Sequence, residues 1–203
     1  GNFTGTVSGA GEHYKVQGSV KSDALAADGV RLQGLNVTAG GSGQGKTYDL
    51  NGRAVAELLA AGDFQLNSVQ LTGGVMGTGS DFRWIGELRA AAEKSYGTTI
   101  AGLILHDARA EMNDGVLTAS SKQLTANRLA SSGARVDSIT ASNLSVRVEH
   151  KVTTGTVASV KANEVVAADL HVKGISANKL EISGRDEVTE VNIKELLIGG
   201  LSA

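Results

Sequence analysis

The segment Phe82-Arg83-Trp84-Ile85-Gly86-Glu87-Leu88 places an apolar or small residue at every second position. The same alternation appears in Tyr14-Val16-Gly18-Val20 and in Tyr48-Leu50-Gly52. A period of two is typical of β-strands with one apolar face, and many such segments in succession predict one long sheet.

A second repeat of five residues runs through the C-terminal half, as in Leu124-Leu129-Ala134-Ile139-Leu144 and Val160-Val165-Leu170-Ile175-Leu180. In one continuous strand this spacing would move each successive apolar residue to the opposite face. The chain must therefore turn, or be buried on both sides. We expect units of about ten residues, each a short strand and a turn, with corners or turns at Gly133, Gly155, Gly174 and Gly184.

Composition excludes several classes of protein. All seven aromatic residues precede position 97. We therefore predict an aromatic-containing curved sheet segment at 1–110 and an aliphatic segment at 111–203 that stacks on it, the two forming one continuous domain. The absence of proline suits continuous ladders. Without cysteine there are no disulfides or thiolate sites. Charges are balanced and no basic face with stacking aromatics is visible, so nucleic acid is not an expected partner.

Local signals predict most of the elements. Strands at 2–9 and 13–21 form a hairpin around Gly9-Ala10-Gly11, and 100–112 and 115–124 form another around Asn113-Asp114-Gly115. The Ala- and Leu-rich stretch 53–61 predicts a short helix that ends at Gly62. Segment 81–90 is interpreted as a strand. Segment 191–201 fits either a strand or a short helix.

Residues 40–47, Gly-Gly-Ser-Gly-Gln-Gly-Lys-Thr, match the phosphate-binding pattern G-x-x-x-x-G-K-[ST] literally. That site requires a buried parallel strand before the loop and a helix after it. The preceding strand is half polar, however, and Tyr48-Asp49-Leu50-Asn51-Gly52 alternates. A Gly-rich hairpin loop is therefore the preferred interpretation, and no cofactor is expected.

Catalytic and metal-binding patterns are not evident. The four histidines, His13, His106, His150 and His171, have no metal-ligand spacing. His106-Asp107 lacks a serine in a nucleophile-elbow setting. Arg83, Glu87 and Arg89 are interpreted as surface ion pairs. We expect a protein that is not an enzyme.

The apolar residues at alternate positions have two interpretations. They form either an ordinary core or the open apolar face of a curved sheet that binds acyl chains. The lipid-binding candidates are the inward-facing residues of the first half, namely Tyr14, Val16, Leu32, Tyr48, Leu50, Phe64, Leu66, Phe82, Trp84 and Leu88.

One sequence pattern consists of a strand, a glycine, a second strand, and then Asp-Gly before another strand. This pattern spans Tyr14 to Val20 and Ala24 to Val37, and a similar spacing recurs at Phe64 to Leu71 and Leu170 to Ile182. It resembles the AsmA/TamB-like family of bacterial envelope proteins. The resemblance implies a segment of an elongated periplasmic groove with an apolar interior, which carries phospholipid between membranes and serves outer-membrane biogenesis, with outer-membrane proteins as further partners.

The resulting prediction is an all-β chain with an elongated, strongly curved sheet, a groove or a β-solenoid, and at most one or two short helices. Its predicted function is non-catalytic shielding of lipid acyl chains in the bacterial periplasm. The alternative is a structural surface β-helix, an adhesin or scaffold segment, with a filled core and no ligand.

Overall fold

The computed structural model describes residues 1–27, 29–95, 97–150, 152–168, 170–185 and 188–202. They form one antiparallel sheet of twelve strands whose spatial order is the order along the chain. The strands are β1 Asn2–Ala10, β2 His13–Ala27, β3 Val30–Gln44, β4 Thr47–Ala61, β5 Phe64–Thr78, β6 Asp81–Ser95, β7 Thr98–Asn113, β8 Val116–Ser131, β9 Ala134–Glu149, β10 Val152–Ala167, β11 Leu170–Arg185 and β12 Val188–Ser202. The all-β prediction is confirmed.

The sheet is elongated and does not close on itself. Among the described residues each strand pairs only with its neighbours in the sheet. With about 4.8 Å between strands, twelve strands extend over about 53 Å. The accessible surface is 12739 Å², whereas a compact protein of this mass would expose roughly 8,900 Å².

One face of the sheet is nevertheless buried along the middle strands, although no second layer covers it. Residues directly opposite each other in an antiparallel ladder point to the same side, so the register carries this face from strand to strand. Ala56, Val69 and Ala90 are at most 4% exposed. The sheet must therefore curve until this face, hereafter the inner face, covers itself.

The curvature is concentrated at residues where the ladder pairing is interrupted. These interruptions, which we call corners, align from strand to strand in two rows. The first corner row has an unpaired residue on every strand from β3 to β11: Gly34, Glu57, Ser68, Ala91, Gly102, Asn127, Ser138, Asn163 and Gly174. The second corner row occurs in the C-terminal half, at Asp107, Lys122, Asn143, Ala158 and Lys179.

Left-handed backbone marks the corners on the odd-numbered strands. Gly102 and Asp107 on β7 have φ of 64° and 48°, and Ser138 and Asn143 on β9 have 55° and 49°. Glycine, Asn and Asp adopt this region most readily. The second row begins between β6 and β7, where the register shifts between Gly86 and Leu88. β7 to β11 accordingly have 16 residues each.

The corners explain the five-residue repeat. On β10 the inner-face positions are Gly155, Val157, Val160, Ala162 and Val165, separated by two, three, two and three residues. Ala158 and Asn163, at the corners, are exposed. Each corner uses one additional outward residue, so two inner positions recur every five residues.

The core lies across the first corner row. Its buried members are Ala56, Leu66, Val69, Ala90 and Leu103, and the partly buried residues packed against it are Leu32, Leu35, Leu59, Leu71, Leu88, Ile100 and Leu124. Leu66 and Val69 stand on opposite sides of the corner at Ser68. The two limbs of the bent sheet therefore pack against each other.

Several local predictions are corrected. The predicted helix at 53–61 is wrong, because this segment is the second half of β4. Its alanines and leucines pair with β3 and β5, and the packing of the inner face overrides helix propensity. Segment 191–201 belongs to β12. The strand at 81–90 and the turn at 113–115 are confirmed.

The expected ten-residue units are also wrong, since each C-terminal strand is a single bent ladder of 15 or 16 residues. Gly133 lies in a turn and Gly174 at a corner with φ 67°, as predicted. Gly155 and Gly184 lie within paired ladder instead.

The Gly-rich phosphate-binding pattern is part of a hairpin. Gly40 to Gln44 pair with both β2 and β4, Gly45 and Lys46 form the turn, and Thr47 begins β4. The strands around this turn are antiparallel and no helix follows it. The hairpin interpretation is therefore correct.

Candidate apolar ligand face

The inner face is built from aligned rows of apolar side chains. One row contains Val16, Gly41, Leu50, Val75 and Trp84, each opposite the next across the ladder. A second apolar row contains Val20, Val37, Ala54, Leu71 and Leu88, and a glycine-rich row lies between the two. By register and burial, all ten predicted lipid-binding residues lie on this face.

The glycine-rich row separates these two apolar rows. It contains Gly18, Ala39, Gly52, Gly73 and Gly86. A Cβ on Gly52 would lie 2.8 Å from the Cα of Ala39, and one on Gly73 would lie 2.7 Å from the Cα of Gly86. Contacts this close leave no room for a side chain, so the row forms the floor of a depression.

An apolar cleft of about 230 Å³ lies over this floor. Its walls include Leu50, Leu71, Val75 and Trp84, and Arg53 is its one charged lining residue. The cleft brings together Leu50 and Trp84 of the predicted set, which are 34 positions apart in sequence. It is therefore produced by the register of β4, β5 and β6.

A larger cleft of about 860 Å³ lies at the hairpin end of β1 to β5. Tyr14 and Tyr48 line it, and their rings occupy the space where Gly43 and Gly77 would carry a Cβ. The Tyr14 hydroxyl donates a hydrogen bond to the Thr47 carbonyl at 3.3 Å. This cleft is of mixed polarity, since His13, Lys15 and Asp49 also line it.

The remaining predicted residues are distributed differently. Leu32, Leu66 and Leu88 belong to the packed core, and Leu66 is 5% exposed. Val16, Phe64 and Phe82 line neither of the two clefts. Phe64 is exposed at 37%.

Sequence reasoning missed Glu93. It lies on β6 beyond the first corner, opposite Leu66 on β5 and Ile100 on β7. Its row is otherwise aliphatic, with Leu25, Leu32, Leu59, Leu66, Ile100, Leu129, Val136, Val165 and Val172. Glu93 is 8% exposed, and burial raises the pKa of its carboxyl above the usual value.

The charged side chains that form ion pairs are on the outer face or at its corners. Arg83 pairs with Glu111 at 3.3 Å, and Glu87 accepts a hydrogen bond from Arg89 at 2.6 Å and lies 3.0 Å from His106 Nδ1. The pKa of Glu87 is lowered chiefly by its hydrogen bond from Arg89. The predicted interpretation of Arg83, Glu87 and Arg89 as surface ion pairs is confirmed.

Ser121 satisfies backbone groups beside the second corner row. Its hydroxyl, on a residue 5% exposed, contacts the His106 carbonyl at 2.7 Å and the Gln123 carbonyl at 2.9 Å. Because the ladder skips a pair here, these contacts replace part of the missing backbone pairing.

The described part of the chain contains neither a metal-binding cluster nor a membrane-spanning helix. There, no group of three or more His, Cys, Asp or Glu residues is arranged to hold a metal ion. Within the same residues, no helix has the length and apolarity needed to cross a membrane.

Comparisons with known proteins gave no match: no family model, curated protein or solved structure matches the chain.

Proposed function

We propose that the inner face of the N-terminal half binds the hydrocarbon part of a lipid and shields it from water. The observation that carries this proposal is the apolar cleft between Leu50, Leu71 and Trp84, on a face that no second layer of structure covers. A ligand here needs no reactive group, because each buried CH₂ contributes about 0.8 kcal/mol.

The charge distribution supports the same function. Charged side chains on the outer face keep that side in water, while the inner face carries almost none. An apolar cleft with so few charged groups is typical of a ligand-binding site. The resemblance to AsmA/TamB-like proteins favours phospholipid as the ligand, with the bacterial periplasm as the location and outer-membrane proteins as further partners.

The test uses Trp84, the one tryptophan in the chain, as a reporter inside the cleft. We expect phospholipid with brominated acyl chains to quench Trp84 fluorescence saturably, and the same lipid without bromine to leave the intensity nearly unchanged. Equal intensities with the two lipids at saturation would overturn the proposal.

A crosslinking experiment supplies the matched control. A photoreactive residue at Trp84, which lines the cleft on the inner face, should crosslink to phospholipid, and one at Ile85, on the outer face of the same strand, should not. Equal labelling at the two positions would indicate general adhesion to lipid and count against an inner-face site.

The C-terminal half favours a second, structural function. Its inner face is lined by small buried residues, including Ala126, Ala141, Ala162 and Ala177, close to two corner rows. This packing is typical of a filled solenoid. A protein that releases no lipid on organic extraction, and shows no quenching at Trp84, would fit that function alone.

A further inference from the structure

Glu93 is the one charged residue on the inner face of the described strands. Following the register from Phe3 on β1 to Ile198 on β12, the other inner positions carry aliphatic, aromatic, methionine, glycine, serine or threonine residues. A buried carboxyl is costly unless it is paired or protonated. In a sheet that excludes charge from this side, one carboxyl indicates a specific use.

No described side chain pairs with Glu93. The ion pairs and side-chain hydrogen bonds of the described residues do not include it. The inner-face residues around it on β5, β6 and β7 are Leu66, Val69, Ala90, Ile100 and Leu103, none of which titrates. Lys94 is its neighbour in sequence, but it lies opposite Gln65 and Thr99 on the outer side.

The carboxyl remains accessible to a ligand. Among the described residues, no fully enclosed side-chain oxygen or nitrogen lacks a hydrogen-bond partner. Since Glu93 has no such partner there, its oxygens retain a small opening to solvent. The same strand continues through the core residues Ala90 and Leu88 to Trp84, so one strand carries both the polar position and a wall of the apolar cleft.

We infer that Glu93 binds the cationic head of an amphipathic ligand, a primary ammonium attached to a long hydrocarbon chain held on the apolar inner face. The ammonium would provide the missing counter-charge and hydrogen-bond donors for the carboxylate. This inference rests on the proposed function, because the chain of the ligand occupies the apolar face.

The experiment compares dodecylamine with dodecanol, two probes with the same chain length and different heads. A hydrogen bond to a charged group corresponds to about a tenfold to hundredfold change in affinity. We therefore expect Glu93→Gln to weaken dodecylamine binding at least about tenfold and to change dodecanol binding less than about twofold. Glu87→Gln, on the same strand but paired with Arg89 outside, is the matched control and should change neither.

The possible failures are distinguishable. If dodecanol binds and Glu93→Gln leaves dodecylamine affinity unchanged, the role of Glu93 is wrong and the apolar face stands. If dodecanol does not bind the wild-type chain, the proposed function itself fails. Retention of the β-sheet circular dichroism spectrum by Glu93→Gln checks that the variant is folded.

The pH dependence provides an independent measurement. Because burial raises the pKa of Glu93, the folded chain holds this proton more tightly than the unfolded chain does. The contribution of Glu93 to stability is present at pH values below its pKa in the unfolded chain, and it is lost as the pH rises through its higher pKa in the folded chain. Dodecylamine should therefore raise Tm more at pH 8 than at pH 4, and Glu93→Gln should abolish that difference. A difference that persists in the variant would contradict the inference.

Discussion

At the scale of single residues, glycine has two separate roles in this sheet. Gly102 and Gly174 occupy corners with left-handed φ. Gly52 and Gly86 have a different role, because they allow the neighbouring backbone to approach where a Cβ would collide with it. The sequence shows only that glycines alternate with apolar residues, and it does not distinguish the two roles.

Gly52 and Gly40 provide a matched pair for this second role. A Cβ on Gly52 would lie 2.8 Å from both the Cα and the Cβ of Ala39, whereas one on Gly40 meets nothing closer than 3.6 Å. We expect Gly52→Ala to lower the free energy of unfolding by about 1–3 kcal/mol through overpacking. Gly40→Ala should be neutral or stabilise by up to about 1 kcal/mol.

Urea denaturation of the two variants measures both values. Equal destabilisation at Gly52 and Gly40 would show that the glycine row is not closely packed.

At the scale of elements, each strand is a bent ladder and the corner is its defining feature. A corner changes which later residues face inward. On β6, strict alternation from Trp84 and Leu88 would place Glu93 on the outer face, because Leu88 and Glu93 are five positions apart. The corner at Ala91 adds one residue and turns Glu93 inward.

Lys179 tests the cost of a corner. It has φ 54°, a conformation that costs roughly 1 kcal/mol for a residue with a Cβ and costs glycine little. Lys179→Gly should therefore stabilise the protein by about 0.5–1 kcal/mol. Lys161, on an ordinary stretch of β10, is the control, and Lys161→Gly should destabilise by a similar amount.

The two variants are compared by thermal and urea unfolding. Opposite signs are expected, and a loss of stability at both positions would mean that Lys179 is not under backbone strain.

At the scale of the whole molecule, the sheet is quasi-one-dimensional, since each described strand pairs only with its neighbours. Stability in such proteins is approximately a sum of local units and the interfaces between them. The outermost strands have one neighbour each and are the most exposed: Phe3 and Val7 on β1 are 58% and 65% exposed, and Leu196 on β12 is 56% exposed.

Amide hydrogen exchange should therefore be graded along the sheet. We expect the fastest exchange in β1 and β12 and the slowest in β4 to β7, which carry the buried core. Peptide-resolved mass spectrometry measures this gradient. Uniform protection across all twelve strands would indicate a cooperative globular unit and contradict the one-dimensional description.

The sequence alone determined the all-β class, the hairpin at Asn113-Asp114-Gly115 and the apolar character of the face that holds Tyr48, Leu50, Trp84 and Leu88. These properties depend on alternation and turn chemistry, which are local. The same local reasoning assigned a helix to 53–61, because propensity there does not include the pairing of β4 with β3 and β5.

Only the tertiary structure decided where the strands bend, and with it the cleft between Leu50 and Trp84 and the inward position of Glu93. The physical reason is that a corner shifts the two-residue alternation by one position. Whether a given Ser, Asn, Ala or Gly forms a corner depends on its alignment with the corners of the adjacent strands. That alignment is a property of the assembled sheet, and no single strand contains it.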